Sequence, residues 1–372
     1  MIKVLHLTEQ LSGIGGTPRK LLSLTRHSNR EIISHNFLCF LAGDLDDQFR
    51  ELGSSVAVVG STSPAAIVAA VLRQIRCGNV DLVSTHFSRA FLCGQVVHML
   101  TGVPLLHNEH GATLAIADRR FRERFVRIIK SLFLRRTGVI ACNSAYTGRT
   151  LRELTGVKAQ QIRVVLNPVE ARGEVVASRG KISTERRAVV LGHVGGMVPV
   201  RDQATLVRAV GVLMQRGIEA KLIMVGDGPV RPELQRIVTE LGLGARVEMG
   251  GYSVNVAQLF SEIDLYVNPA VAEGFGIAVV EAMLAGVPVV LADAGAHCEL
   301  TKDGAFGVLF EPGNAEALAD AIHLLWSDEK MRHSLIAAAL IHAAQSYAPG
   351  RYVDAYTAVV RECLVRRNAG PG

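Results

Sequence analysis

The feature that most constrains this chain is an alternation of short apolar runs with stretches of helical periodicity, which passes through the sequence twice. It begins with the apolar run IKVLHLT at residues 2–8, followed by a glycine-containing turn and the helical pattern RKLLSLTRH. Apolar runs joined by helices predict parallel strands, because a parallel connection needs a crossover that a helix usually supplies. The predicted fold class is therefore α/β.

A polar segment divides the two passes of this pattern. The periodicity is lost in EARGEVVASRGKISTERR and resumes with AVVLGHVG, and 372 residues exceed the ~250–300 that one hydrophobic core usually serves. We predict two Rossmann-like, doubly wound domains, at 1–168 and 188–349, joined by a linker at 169–187, with a C-terminal helix at 350–367 crossing back to the first domain. Such domains are expected to face each other across a cleft that binds the ligand.

The positive charge of the chain is concentrated in one segment. The formal net charge is +6, and residues 119–136 alone hold eight basic residues against one acidic residue. At 100° per residue this segment is an amphipathic helix, whose basic side comprises Arg120, Arg124, Arg127 and Lys130. Two interpretations stay open, a core-packed helix with a solvated charged face and a helix that contacts an anionic membrane. Nucleic acid is disfavoured as a partner, because the chain shows no recognised nucleic-acid-binding module and is near neutral outside this segment.

Targeting signals are not evident. The N-terminal apolar stretch is too short for a signal peptide, and no uncharged apolar run reaches the ~18–20 residues of a spanning helix. We expect a cytoplasmic protein, at most peripheral at the inner face of the cell membrane. The six scattered cysteines and the absence of a Ser/His/Asp set or metal-ligand cluster disfavour hydrolases and metalloenzymes.

The most informative stretch for chemistry is PAVAEGFGIAVVEAMLAGVPVV at residues 269–290. Glu273 falls in a loop after a predicted strand, and the helix that begins near Ile277 directs its free N–H groups to the same place, which suits a diphosphate. Glu281 lies about one turn into that helix. Carboxylates accept paired hydrogen bonds from the diols of ribose and hexose, so the stretch points to a nucleotide sugar.

The pattern E-G-F-G-x-x-x-x-E-A-M-x-x-G-x-P-V-V resembles the signature of the retaining glycosyltransferases of family 4, which have the GT-B fold. The similarity extends to Gly15–Gly16, the NP of residues 167–168, NEHG at 108–111 and VGDGP at 225–229. It implies transfer of a sugar from a UDP- or GDP-sugar with retention of configuration, with no metal and no other cofactor. The implied partners are the nucleotide sugar and a glycan or lipid-linked acceptor.

The resemblance also implies roles for individual residues. Glu273 would hold the donor sugar's hydroxyls and support the developing positive charge, Glu281 would bind the ribose, and His110 would contact the donor sugar near the reacting bond. The expected catalytic residues are Glu273, His110 and Arg201. The expected donor-binding residues are Gly15, Gly16, Arg201, Gly274, Phe275, Gly276, Ile277 and Glu281.

The chain departs from the family pattern at its cations. Where the family has G-R-L-x-x-x-K, this sequence reads GGMVPVR at 195–201, so that Gly196 replaces the Arg and Arg201 replaces the Lys. An arginine can clamp phosphate oxygens bidentately, and Arg19 or Lys20 could supply the second charge. His86 and Glu299 are further candidates for contact with the ligand.

The function that these residues predict is a retaining hexosyltransferase of cell-surface polysaccharide or glycolipid biosynthesis. Two alternatives stay open. One is a nucleotide-sugar epimerase of the same fold, and the other is a glycosyltransferase-like partner subunit impaired by the missing arginine.

Overall fold

A computed structural model describes residues 1–13, 16–111, 121–171, 188–251 and 255–368, with the backbone alone at 121–127 and 367–368. The chain divides into two compact units. Unit 1 comprises Met1–Pro168 together with the C-terminal segment that begins at Pro349, and unit 2 comprises Val169–Ala348. Gly15 and Arg120 lie outside the described residues, as do the side chains of Arg124 and Arg127.

Unit 1 contains a parallel sheet flanked by helices. Its strands follow the order β3-β2-β1-β4-β5-β6-β7. In chain order the elements are β1 (Ile2–Thr8), α1 (Gly16–His27), β2 (Ile33–Cys39), α2 (Asp46–Glu51), β3 (Val56–Val58), α3 (Pro64–Arg76), β4 (Leu82–His86), α4 (Phe87–Thr101), β5 (Leu105–Glu109), α5 (Phe121–Leu134), β6 (Val139–Cys142), α6 (Ala145–Thr155) and β7 (Ile162–Val164).

Unit 2 repeats this plan with six parallel strands in the order β10-β9-β8-β11-β12-β13. Its elements are β8 (Val189–Val194), α7 (Gln203–Gln215), β9 (Ala220–Val225), α8 (Arg231–Glu240), β10 (Val247–Met249), α9 (Val256–Glu262), β11 (Leu265–Asn268), α10 (Ile277–Leu284), β12 (Val289–Ala292), α11 (His297–Thr301), β13 (Val308–Phe310), α12 (Ala315–Ser327) and α13 (Glu329–Ser346).

The C-terminal helix α14 (Pro349–Asn368) belongs to unit 1, where it packs against α1 and the central strands. The Tyr356 hydroxyl on α14 shares a hydrogen bond of 2.8 Å with Ser84 Oγ on β4. Glu362, also on α14, accepts two hydrogen bonds from the Arg163 guanidinium at 2.6 and 2.8 Å. Because these contacts join chain segments almost 200 or more residues apart, they fix the last helix to the first sheet.

The predicted α/β class with two Rossmann-like sheets is confirmed. The central strands are buried on both faces, as the continuous apolar runs β12 and β9 require. In both sheets the strand order reverses beside the first strand, between β1 and β4 in unit 1 and between β8 and β11 in unit 2. The loops that leave the carboxyl ends of strands at such a reversal are where open α/β sheets bind ligands.

The prediction that Lys130 lies on a basic side of α5 facing solvent or a membrane is wrong. Its side chain is only 2% exposed, and its Nζ donates a hydrogen bond of 2.8 Å to Glu109 Oε2 on β5. At 100° per residue Ile128 and Leu132 belong to the apolar side of this amphipathic helix, which was expected to be buried, but they are 58% and 48% exposed. Lys130 therefore belongs to a buried ion pair and not to a membrane-contacting face. Within the described residues, no helix has the length and apolar character to span a bilayer.

Candidate active site

Two loops meet at the strand reversal of unit 2, and each carries a predicted site residue. The loop after β8 ends in a turn of 3-10 helix at Pro199–Arg201, and the loop after β11 carries Glu273. Val271 N donates to Val200 O at 3.0 Å, which holds the loops together. The Arg201 guanidinium hydrogen-bonds and ion-pairs with the Glu273 carboxylate. The structure thus brings together two of the residues predicted to be catalytic.

The backbone of Glu273 is held by the segment that precedes α11. Gly295 has a φ of +63°, and a Cβ there would lie 2.5 Å from the Glu273 nitrogen. Ala296 N donates to Glu273 O at 2.9 Å. Only a glycine allows this approach, because it lacks a Cβ and adopts positive φ without strain. Glu273 is therefore fixed by its backbone as well as by its side-chain partner.

The helix α10 begins directly after this loop. Gly276 precedes it with a φ of +91°, and its first turn contains no acidic residue. Phe275 is buried edge-on against Tyr347, with ring centroids 5.5 Å apart. The first N–H groups of the helix have no intrahelical acceptors, so they and the helix dipole favour an anion. Glu281 lies buried one turn further along.

The backbones of the loops after β8 and β9 are in direct contact. Met197 N donates to Asp227 O at 2.9 Å, and a Cβ on Gly226 would lie 2.0 Å from Gly195 O. Gly196 differs from these glycines, because a Cβ there would meet only Asp227 O, at 3.9 Å. The position at which the family has an arginine therefore has room for a side chain.

The free space beside Gly196 allows the arginine of the family pattern to be restored there. We expect Gly196→Arg to raise kcat/KM for the donor by roughly 10- to 100-fold, because a charge-assisted hydrogen bond contributes about 1.5–3 kcal/mol. Steady-state kinetics would measure the effect, with Gly196→Met as a control of similar reach but no charge. An arginine variant no better than the methionine variant would show that the diphosphate does not lie beside this loop.

Two buried histidines of unit 2, His193 and His297, have pKa values lowered by burial and also by the positive charge of Arg201, with which they interact electrostatically. His193 directs Nδ1 at Val267 O, 2.9 Å away, and Nε2 at the Gln203 amide. His297 directs Nδ1 at Ala292 O, also at 2.9 Å. Burial lowers the pKa of both to about 4, so both are neutral near pH 7.

His297 is a candidate that sequence reasoning missed. Because its Nδ1 donates to a carbonyl, its buried Nε2 is an unprotonated acceptor, and it has no hydrogen-bond partner within the described ranges. The signal that could have found it is its position two residues before Glu299. Glu299 itself is half-buried on α11 and lies near the Tyr347 phenol, whose pKa burial and this carboxylate raise.

Unit 1 places its predicted residues at its own strand reversal. His110 follows β5, and its ring nitrogens lie 3.2 Å from Lys20 Nζ and 3.0 Å from Nδ1 of His86. Both nitrogens are therefore engaged within unit 1. Burial lowers the pKa of Lys20 to about 7. Gly16 and Arg19 lie at the exposed start of α1.

Known proteins resemble this one in fold and in sequence. The structure of Anabaena Alr3699/HepE in complex with UDP and glucose superposes with a TM-score of 0.82 at 22% identity, covering 97% of this chain and 100% of that one. The fold is GT-B, a glycosyltransferase architecture. Residues 177–341 match the model of glycosyl transferases group 1, and residues 15–172 match that of glycosyltransferase family 4. The chain belongs to the group 1 family of glycosyltransferases.

Curated relatives are similar at lower identity. The D-inositol 3-phosphate glycosyltransferase of Thermomonospora curvata is 27% identical over 292 residues, 72% of this chain and 68% of that protein. The putative glycosyltransferase EpsF of Bacillus subtilis is 24% identical over 312 residues, 78% of this chain and 79% of that protein. These relatives support transfer of a sugar from a nucleotide sugar as the general activity.

Proposed function

We propose that the protein is a retaining, metal-independent hexosyltransferase that moves a sugar from a UDP- or GDP-sugar to a glycan or lipid-linked acceptor, in cell-surface polysaccharide or glycolipid biosynthesis. The observation that carries the proposal is the contact of Arg201 with Glu273 beside the start of α10. A cation for phosphate, a carboxylate for sugar hydroxyls and a helix N-terminus lie together in one loop cluster.

Donor binding would separate this ion pair. The diphosphate would replace the Glu273 carboxylate on the Arg201 guanidinium, whose planar fork suits phosphate oxygens. The released carboxylate would accept hydrogen bonds from the sugar hydroxyls. As the glycosidic bond breaks, positive charge grows on the sugar and negative charge on the diphosphate, so the separated pair would stabilise both ends of the transition state.

Other residues would complete the donor site. The backbone N–H groups of Phe275, Gly276 and Ile277 would bind the diphosphate and sugar, and Glu281 would accept hydrogen bonds from the ribose. The HepE structure, which is a complex with UDP and glucose, supports a nucleoside diphosphate and a hexose as the ligands to test first. His110 stays a proposed contact of the donor sugar, and one of its ring nitrogens would first have to leave its present partner.

A panel of UDP- and GDP-sugars, followed by NMR of the reaction products, tests this function. We expect one donor to be consumed only when an acceptor is added, with the anomeric configuration retained and the rate unchanged by EDTA. Conversion of the sugar without any acceptor would support an epimerase. Failure of UDP and GDP to bind in titration calorimetry would support an impaired partner subunit.

We also propose that unit 1 contacts an anionic membrane at the cytoplasmic face, through apolar residues rather than Lys130. Met99 and Leu100 on α4 are 61% and 65% exposed, and α4 contacts α5, whose Ile128 and Leu132 are also exposed. Exposed apolar side chains near basic residues suit the boundary of headgroups and acyl chains.

Flotation with phosphatidylglycerol vesicles tests the membrane contact. We expect the protein to float with these vesicles, and Met99→Glu with Leu100→Glu to reduce the bound fraction at least threefold. Val365→Glu, a change at an exposed apolar residue of α14, is the control. Equal flotation of the double variant and the wild type would contradict this contact surface.

A further inference from the structure

A continuous run of hydrogen bonds crosses the interior of unit 1 and consists mainly of histidines. Between Ser28 Oγ and Lys20 Nζ lie four rings, and the heavy-atom distances along the run are 3.0, 2.9, 3.1, 3.0 and 3.2 Å. We call these rings the imidazole chain: His35, His6, His86 and His110, in order from Ser28.

The imidazole chain follows the order of the strands in the sheet of unit 1. His35, His6 and His86 lie on the adjacent strands β2, β1 and β4, and His110 follows β5, the next strand in the order. Successive rings can therefore meet on one face of the sheet. The two ends of the imidazole chain both lie at α1, because Lys20 is within this helix and Ser28 directly follows its last residue. Eight residues of helix correspond to roughly 12 Å of axis.

All four rings are neutral near pH 7. His35, His6 and His86 are at most 4% exposed. Burial, the largest cause in each case, lowers the pKa of every ring in the imidazole chain, and that of His35 to about 3. A neutral imidazole has one N–H donor and one bare nitrogen acceptor, so each ring must donate in one direction along the chain and accept from the other.

Lys20 therefore determines the direction. A protonated amine can only donate, which makes Nδ1 of His110 an acceptor and places the proton on its Nε2. The same reasoning then applies to His86, His6 and His35 in turn, because each uses Nδ1 toward Lys20 and Nε2 toward Ser28. With a neutral Lys20 amine, which can accept, the opposite direction becomes available, and every proton lies on Nδ1.

We propose that the imidazole chain is a proton wire between the Lys20 amine and Ser28, in which His35, His6 and His86 are positioning residues for His110 and Lys20. Lys20 is 5% exposed and Ser28 is 9% exposed, but Ser28 lies between the exposed residues His27 and Asn29. The wire gives a buried amine beside His110 a route for exchanging its proton with water at the other end of α1.

The proton transfer balances at each step. Lys20 gives a proton to Nδ1 of His110, the Nε2 proton of His110 passes to Nδ1 of His86, and the same exchange repeats along the imidazole chain. The Nε2 proton of His35 passes to the Ser28 oxygen, whose own proton leaves to water. One proton enters and one leaves, so every ring ends neutral in the Nδ1–H form without rotating.

The groups that surround the wire are aromatic, basic or neutral, apart from the Glu109 carboxylate, which is paired with Lys130 Nζ at 2.8 Å. From α14, the Tyr352 ring lies 5.8 Å from Lys20 Nζ, and Tyr356 stacks near His6 and His35. From β5 and α5, His107 and Lys130 act electrostatically on His110 and lower its pKa further. The phenols have raised pKa values, chiefly through burial, and stay protonated. The amine of Lys20 is therefore the group in this cluster that changes charge near neutral pH.

Nitrogen-15 NMR of the histidine rings in the wild-type protein tests the wire directly, because bare and protonated ring nitrogens resonate far apart. We expect all four rings to be in the Nε2–H form at low pH and to change together to Nδ1–H, with one shared midpoint near pH 7. His297, whose Nδ1 contacts Ala292 O at 2.9 Å and whose pKa burial lowers to about 4, should keep its tautomer through the same midpoint and serves as an internal control. Rings in mixed tautomers, or a His35 that does not change, would overturn the proposal.

Variants separate a wire from independent rings. Lys20→Met should abolish the shared change in all four rings. His6→Phe, which removes the ring between His86 and His35, should abolish it in His35. His107→Phe, which removes an equally buried ring of β5 outside the chain, should leave His35 changing as in the wild type. A His35 that still changes in His6→Phe would also overturn the proposal. No substrate is present, so failure of the proposed function would not alter these results.

Discussion

Glu273→Gln is expected to lower kcat by about 10²- to 10³-fold with little change in the folded structure. The amide is isosteric and can still accept hydrogen bonds from sugar hydroxyls, but it cannot stabilise the positive charge that develops on the donor sugar. Loss of one preorganised electrostatic group at a transition state has an effect of about this size. The backbone contacts of Glu273 with Gly295 and Ala296 do not involve the side chain, so the loop should keep its position.

The measurement is single-turnover kinetics with the donor that the panel identifies. Glu262→Gln, which replaces an exposed carboxylate of α9 in the same unit, is the matched control and should retain wild-type activity. A Glu273→Gln enzyme within threefold of the wild-type rate would show that Glu273 only positions Arg201 and does not act in the transition state.

Lys130→Met is expected to destabilise the protein by about 3–5 kcal/mol, because it removes the ammonium partner of the buried Glu109 carboxylate. Burial by itself would raise the pKa of Glu109, but Lys130 and His107 outweigh that effect and lower it. A lowered folded-state pKa stabilises the wild type at pH values above the unfolded-state pKa. That contribution is lost as the pH falls through the folded-state value.

Lys130→Met raises the folded-state pKa of Glu109 above its wild-type value, because it removes the ammonium that opposes the effect of burial. The unfolded state is the same in both proteins, so the difference in stability between them should be largest above the variant's folded-state pKa. It should shrink as the pH falls from there toward the wild type's folded-state pKa of about 2. Urea unfolding followed by circular dichroism at several pH values measures it. A double variant with Glu109→Gln should recover much of the loss, whereas a loss under 1 kcal/mol in the single variant would contradict the role of this ion pair.

The sequence could predict the loop that carries Glu273 and the helix start that follows it, because the signals for both are local. The loop that carries Glu273 and the start of α10 follow from spacing within one stretch, and strand alternation places that stretch at the carboxyl end of β11. The contact between Arg201 and Glu273 was not predictable, since it depends on β8 and β11 being neighbours in the sheet. Strand order is not encoded in local periodicity.

The same limit explains the error at Lys130. A helical wheel identifies two faces but does not say which one is buried, and the partner of Lys130 lies on β5, 21 residues earlier in the chain. The imidazole chain could not be predicted from the sequence for a similar reason. His6 and His35 are 29 residues apart, and His6 and His86 are 80 apart, so only the order of the parallel strands brings them together.

A crystal structure with bound UDP or GDP tests the central claim most directly. The account predicts diphosphate oxygens on the Arg201 guanidinium and on the N–H groups that begin α10, with the Glu273 carboxylate released from Arg201 and the ribose hydroxyls on Glu281. A nucleotide bound elsewhere, with the contact between Arg201 and Glu273 intact, would contradict it.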